Sequence, residues 1–195
     1  MTVESLLARI ASASPSTGGG AAVAMTAAVA AALVAMVASI AVRYAPGEPA
    51  LGDLVAEAEA LRARLTSLID LDVDAYRKVA EAQRRSDAGR AAALRDALIG
   101  ATEVPFEIAA AGARLLEQGA TLLAHAWPST LADLGVAGFL ASAVLEGAAL
   151  TARSNLDALD DRAFAADARR RLDDVLRRGA VVRARLSQAF AASPA

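Results

Sequence analysis

Apolar residues recur at helical spacing along almost the whole chain, and prolines and glycines divide this pattern into segments. The first segment is short and has Leu6, Leu7 and Ile10 on one face. An uncharged segment, a long amphipathic segment and three further long segments follow. The predicted helices cover about residues 3–12, 20–44 and 51–85, a stretch after 89 that ends near 118, a stretch after 130 that ends near 159, and a last stretch up to 191.

Several residues mark where these helices begin, bend or end. Pro105 lacks the N–H that a helix needs and is expected to kink its helix near Thr102. Gly119 lies just past the apolar periodicity and is interpreted as a C-terminal cap. Asp160 or Asp161 is expected to cap the last helix.

The pattern predicts an all-α fold. No segment alternates apolar and polar residues with the Val, Ile, Thr and Tyr content typical of strands. Short connections between long helices favour antiparallel neighbours. We therefore predict a single domain over residues 1–195, an up-and-down bundle of about five long helices.

Composition limits the chemistry available to this chain. Aromatic residues make up only 4% of it, so Ala, Leu and Val must fill the core. A net charge of −2, with both signs spread along the sequence, argues against nucleic acid as a partner. The chain has no cysteine and one histidine, which excludes disulfides and multi-histidine metal centres within one chain. The absence of cysteine fits a cytoplasmic protein.

No charged residue occurs between Arg9 and Arg43, and an uncharged segment of that length could span a bilayer. About half of residues 21–42 are alanine, and no Trp or Tyr belt flanks them. A helix that is apolar on all sides can equally lie buried in a bundle or at a dimer interface. We predict a buried helix and no membrane partner, with a membrane span as the alternative.

The glycines Gly18, Gly19 and Gly20 at the start of the uncharged helix are the first candidate site. The first N–H groups of a helix have no internal partner and carry the positive end of its dipole, so they can bind a carboxylate or phosphate. The alternative is a helix start at which two backbones pass closely.

Two polar residues in otherwise apolar surroundings are further candidates. Asp133 lies in the first turn or so of its predicted helix, where it either stabilises the helix N-terminus or moves a proton. Asn155 either satisfies a backbone group or orients a ligand. The two lie 22 residues apart, about 33 Å along a straight helix. Either Gly147 breaks the helix, or the two residues work in separate places, for example across a subunit boundary.

Several sequence elements occur in a characteristic order. They are Ser14-Pro15 before Gly18-Gly19-Gly20 and the alanine-rich helix, Asp72 with Ala75-Tyr76, Pro105, Asp133-Leu134-Gly135-Val136-Ala137, and Asn155-Leu156 before Asp160 or Asp161. Over nearly the whole chain this order resembles the cyclodeaminase/cyclohydrolase family. The resemblance implies a homodimeric helical bundle that binds a tetrahydrofolate derivative as substrate, with no metal and no tightly bound cofactor.

The resemblance also implies roles for individual residues. Asp133 would be the catalytic carboxylate or pterin anchor, and Gly18–Gly20 would meet the substrate with backbone N–H groups. Asp72 and Asn155 would help to bind the substrate. The family reactions either cyclise a formimino group with loss of ammonia or open a methenyl bridge with water.

The chain differs from the family pattern at several polar positions. Thr17 and Ala21 flank the glycines where the family has proline and serine, and Thr151 replaces the first asparagine of an Asn-Val-x-x-Asn pattern. A Leu-Pro-Lys element is absent, and Arg84 or Arg85 is the candidate replacement for its lysine. The alternative to an enzyme is therefore a non-catalytic ligand-binding or partner protein that kept the dimeric scaffold.

Overall fold

The structure is a computed structural model that describes residues 2–13 and 17–192, and within these residues it is helical without strands. Ser14 and Pro15 of the sequence motif lie outside the described residues. The helices are α1 (Val3–Ile10), α2 (Gly19–Tyr44), α3 (Pro49–Arg84), α4 (Arg90–Leu122), α5 (Leu131–Asp157) and α6 (Arg162–Ala192), with a 3-10 turn at Pro128–Thr130 before α5. The predicted all-α bundle with five long helices is confirmed.

Helices α2 to α5 form an antiparallel four-helix bundle in which each helix packs against its neighbours in sequence and α2 also packs against α5. Helices α3 and α4 run in opposite directions, as shown by two ion pairs between them, Arg64–Glu107 and Glu57–Arg114. Helix α6 packs across α4 and α5. The short helix α1 buries Leu6 in the same core.

Helix α2 buries one face along its length, and alanines form most of that inward face. Small side chains let α3, α4 and α5 approach it closely. Helix α2 and the segment Pro128–Asp157 are both long and apolar enough to cross a membrane, although 44% of each apolar window is buried within the bundle. Core helices of a soluble protein have the same property, so the prediction of no membrane partner stays a prediction.

The helix ends follow local rules with one exception. Asp161 caps α6, because its Oδ1 accepts a hydrogen bond from the Phe164 N–H at 3.0 Å. Pro49 starts α3, where a missing N–H costs nothing. The interpretation of Gly119 as a helix cap is wrong: α4 continues to Leu122, and Gly119 is buried beside Leu134 and Leu186.

Candidate active site

A carboxylate from α3 covers Gly20 in the first turn of α2. A Cβ atom added to Gly20 would lie 2.0 Å from Oδ1 of Asp72, so the carboxylate occupies the space that a side chain at position 20 would need. The Ala21 N–H donates to the same carboxylate. The sequence-predicted residues Gly20 and Asp72 therefore meet, and Asp72 caps the positive end of α2.

Burial raises the pKa of the Asp72 carboxyl, and the hydrogen bond from Ala21 opposes part of that rise. The half-buried carboxyl therefore binds its proton more tightly in the folded protein than in the unfolded chain.

This shift predicts a pH dependence of stability. A raised pKa stabilises the folded protein below the ordinary aspartate pKa of about 3.9, and this contribution is lost as pH rises through the folded pKa. Asp72→Asn should remove this contribution. Urea unfolding of both proteins at several acidic pH values measures it: the stability of the wild type relative to the variant should fall with rising pH. A difference that is flat or that rises would contradict the assignment.

The other two glycines at the start of α2 are not required by packing. No described atom lies within 4 Å of a Cβ added to Gly18 or Gly19. Next to them, Thr17 is only 3% exposed, and its Oγ1 has no hydrogen-bond partner among the described residues. Gly18 and Gly19 thus present bare backbone to open space, as expected of a surface that receives a ligand.

Asn155 satisfies a backbone group left open by Pro105. Because proline has no N–H, the carbonyl of Ala101, four residues earlier, lacks its helical donor. The Asn155 Nδ2 donates to this carbonyl at 2.8 Å. Helix α4 therefore continues through Pro105. The sequence left two roles open for Asn155, pairing with a backbone group and orienting a ligand. The structure shows the backbone partner.

This contact predicts that the cost of changing Asn155 depends on Pro105. Asn155→Leu should lower the unfolding free energy by about 1–3 kcal/mol, because it leaves a buried carbonyl unpaired. In a Pro105→Ala background the N–H of residue 105 can serve Ala101, so the same change should cost clearly less. Urea unfolding of the four proteins measures the coupling. An equal cost in both backgrounds would refute the structural role.

Asp133 lies at the other end of the bundle. It is half-buried in the first turn of α5. Gly147 packs against Val23, and Trp127 stacks on Tyr44, so α5 runs antiparallel to α2 and its first turn lies beside the last turns of α2. We call the region of Tyr44, Trp127 and Asp133 the aromatic end, and the region of Gly18–Gly20, Asp72 and Asn155 the glycine end.

The two ends are far apart within one chain. In the antiparallel register, Asp133 lies at the level of about Val37, and 17 residues of helix from Gly20 to Val37 span about 25 Å. Helix α5 is unbroken through Gly147, whose missing side chain makes room for Val23. The sequence left open either a helix break at Gly147 or separate locations for the two residues. The unbroken helix excludes the break, so Asp133 and Asn155 lie in separate places.

The arginines proposed to replace the family lysine lie away from both ends. Arg85 follows Asp72 by 13 residues, or about 20 Å along α3. It forms a two-pronged pair with Asp87, at 3.2 and 3.0 Å, and Arg84 is exposed beside it. The structure does not bring Arg84 or Arg85 to Asp72 or Asp133, and their role in substrate binding stays a prediction.

Metal binding has no obvious place within residues 2–13 and 17–192. No group of three or more His, Asp or Glu side chains there could hold a metal ion.

Sequence reasoning did not single out Tyr44, whose ring stacks on the only tryptophan. The available signal was that Trp127 precedes Asp133 by six residues and is followed by a proline.

Comparisons with known proteins agree on one family. Residues 2–174 match the family model for formiminotransferase-cyclodeaminase. A methenyltetrahydrofolate cyclohydrolase of Methylorubrum extorquens is 34% identical over 184 residues, covering 90% of this chain and 88% of that protein. The crystal structure of formiminotetrahydrofolate cyclodeaminase from Thermotoga maritima superposes with a TM-score of 0.90 at 24% identity, covering 97% of this chain and 95% of that one.

Proposed function

Because this chain belongs to the formiminotransferase-cyclodeaminase family, we propose that it is a folate one-carbon enzyme that hydrolyses the bridge of 5,10-methenyltetrahydrofolate. The observation that carries the proposal is the 34% identity to a methenyltetrahydrofolate cyclohydrolase, which extends over 90% of this chain. Cyclisation of a formimino group with loss of ammonia is the second reaction of the same class, because it acts on the same amidine-like carbon.

The chemistry requires one group that moves protons. Water adds to the cationic N–C–N carbon and gives up a proton. One C–N bond then breaks as its nitrogen gains a proton and the added hydroxyl loses its remaining proton, which leaves a formyl group on the other nitrogen. The sum consumes one water and releases one proton. A positioned carboxylate such as Asp133 can accept the first proton and return one to the leaving nitrogen.

Gly18 and Gly19 have a different task at the opposite end of the bundle. Both residues are exposed at the positive end of α2, and a Cβ at either would meet open space, so their N–H groups suit an anionic or carbonyl oxygen of the folate. Asp72 already occupies the position over Gly20, so it borders this surface on the side of α3.

A second copy of the chain can bring the two ends together. In the homodimer that we propose, the outward face of α2 pairs with the same face of the partner in the antiparallel direction. Support comes from the exposed apolar residues Val29 and Met36, at 48% and 39% exposure, on a helix without charge from Gly19 to Val42. A two-fold axis near Val29 would place Asp133 beside the partner's glycine end, because Val29 lies midway between Gly20 and Val37.

Subunit mixing tests this composite site. Asp133→Asn should inactivate one end, and Gly19→Leu should block the other, because its Cβ meets open space into which the larger side chain extends. If each site uses Asp133 from one copy and the glycines from the other, mixed dimers contain one intact site, and random mixing restores about a quarter of the activity. Sedimentation measures the dimer. A monomer, or mixtures that stay inactive, would contradict the composite site.

The reaction itself is tested with two substrates. The protein should remove the methenyl absorbance of 5,10-methenyltetrahydrofolate faster than buffer does, and ammonia release from formiminotetrahydrofolate reports the second reaction. The proposal fails if neither rate exceeds background.

A non-catalytic ligand-binding protein is the second candidate. The lysine of the family's Leu-Pro-Lys element has no counterpart, and Arg85 of the segment in its place is paired with Asp87. Binding of reduced folates without turnover, measured as a rise in thermal stability, would favour this candidate.

A further inference from the structure

Two aromatic rings stack on each other at the aromatic end and leave much of their surface open. The ring centroids of Tyr44 and Trp127 are 3.9 Å apart with an angle of 10° between the planes. Tyr44 is 58% exposed and Trp127 is 44% exposed. The pair is therefore a flat surface at the junction of α2 and α5.

Aromatic side chains are scarce in this chain, and Tyr76 and Phe139 are exposed as well as Tyr44 and Trp127. What distinguishes Tyr44 and Trp127 is that their rings stack on each other. The sequence has one tryptophan, two tyrosines and four phenylalanines. Aromatic rings contribute strongly to stability when buried. Here the only tryptophan and Tyr44 leave that contribution partly unused while they stack on each other, an arrangement that suits a flat ligand.

The backbone holds Trp127 in place independently of its side chain. Both the N–H and the hydroxyl of Thr130 donate to the Trp127 carbonyl at 2.8 Å. Pro128 then starts the 3-10 turn that leads into α5. The indole is therefore presented by a fixed turn.

Asp133 shares this end of the bundle. Fourteen residues separate Asp133 from Gly147, about four helical turns, so both lie on nearly the same side of α5. That side faces α2, because Gly147 packs against Val23. The carboxylate and the aromatic pair thus flank the same junction between α2 and α5.

Within residues 2–13 and 17–192, no cation of the protein lies over the open ring faces of Tyr44 and Trp127. Among the described residues, the cation found over an aromatic ring is Arg171, 5.2 Å from the centroid of Phe106. The π faces of Tyr44 and Trp127 attract positive charge. A carboxylate on the same helix junction as two open aromatic faces is a suitable environment for a flat, delocalised cation.

We infer that Trp127 and Tyr44 form a binding platform for the cationic N–C–N bridge of the substrate, beside Asp133. The inference rests on the proposed function, which supplies an amidinium cation as the substrate and a neutral formyl group as the product. The platform attracts the substrate through its charge and lacks that attraction for the product. It therefore sets specificity for the methenyl form and favours release of the formyl form.

The test compares the two ligands on variants of the only tryptophan. Binding is measured by calorimetry on Asp133→Asn protein, so that the ligand is not consumed. Adding Trp127→Leu should weaken binding of 5,10-methenyltetrahydrofolate about threefold to thirtyfold. It should change binding of the formyl form less than about twofold. Trp127→Phe, which keeps a π face, should retain most of the preference.

Fluorescence gives an independent readout, since all tryptophan emission comes from Trp127. The bound methenyl form should protect Trp127 from quenching by acrylamide, and unchanged quenching would overturn the platform. Equal weakening of both ligands by Trp127→Leu would also overturn it, because that result describes a plain apolar contact. Loss of the dimer with an unchanged ligand preference would instead assign the pair to the subunit interface and overturn it too.

The two levels of the proposal fail in different ways. If the unmodified protein turns over the methenyl substrate but Trp127→Leu keeps its ligand preference, the platform is wrong and the proposed function stands. If neither ligand binds the unmodified protein and no turnover occurs, both fail. Thermal unfolding of Trp127→Leu close to that of the wild type confirms that the comparison is made on folded protein.

Discussion

Asp133→Asn is expected to lower the rate of methenyl hydrolysis about 10²–10⁴-fold, the usual contribution of a positioned acid or base. The amide keeps the size of the side chain but cannot accept a proton from water. The loss should appear in kcat, because the carboxylate acts on the proton during reaction. Steady-state kinetics following the methenyl absorbance measure this effect.

The control for this variant is Asp53→Asn. Asp53 is exposed near the start of α3, at the same end of the bundle, so it changes the local charge equally without touching the junction of α2 and α5. Asp133→Asn should lose only about 0.3–1 kcal/mol of stability, from its position in the first turn of α5. Activity within a few-fold of the wild type would remove Asp133 from the proposed role.

Gly20→Ala is expected to destabilise the protein most among the alanine variants of Gly18, Gly19 and Gly20. The new methyl group would lie 2.0 Å from the Asp72 Oδ1 and 2.5 Å from its Cγ. The short aspartate side chain must move away, which also breaks its hydrogen bond with the Ala21 N–H. We expect a loss of about 1–3 kcal/mol in the free energy of unfolding, measured with urea.

Gly19→Ala is the matched control, because it makes the same change one residue earlier, in open space. It should be neutral or stabilising by up to about 1 kcal/mol, since alanine favours the helix. In an Asp72→Ala background, Gly20→Ala should cost much less than in the wild type. A similar cost in both backgrounds would contradict the contact between Gly20 and Asp72.

Local sequence was sufficient to predict most helix boundaries. Prolines and glycines interrupt the apolar periodicity where the chain turns, and Asp161 was one of two adjacent candidates for the cap that the structure provides. The interpretation of Gly119 as a cap was wrong because a glycine near the end of a periodic segment can serve either as a cap or as a small residue in a helix contact. Only the neighbouring helix decides between these roles, and here it places Leu134 over Gly119.

The candidate site was predictable in its parts but not in its arrangement. Sequence spacing showed that Asp133 and Asn155 cannot share a site on one straight helix. The spacing could not show that Asn155 pairs with the carbonyl freed by Pro105, because the two residues are 50 positions apart and meet only through packing. The stack of Tyr44 on Trp127 also depends on the antiparallel register of α2 and α5.

The sequence by itself determined the helical class, the bundle and the family, because helix propensity, apolar period and motif order are properties of the chain in one dimension. The tertiary structure decided which polar groups meet. It placed the Asp72 carboxylate over Gly20, and it separated Gly20 from Asp133 by about 25 Å along α2. The physical reason is that long helices are rigid rods: their register with neighbours, set by side-chain packing, fixes where each functional group lies.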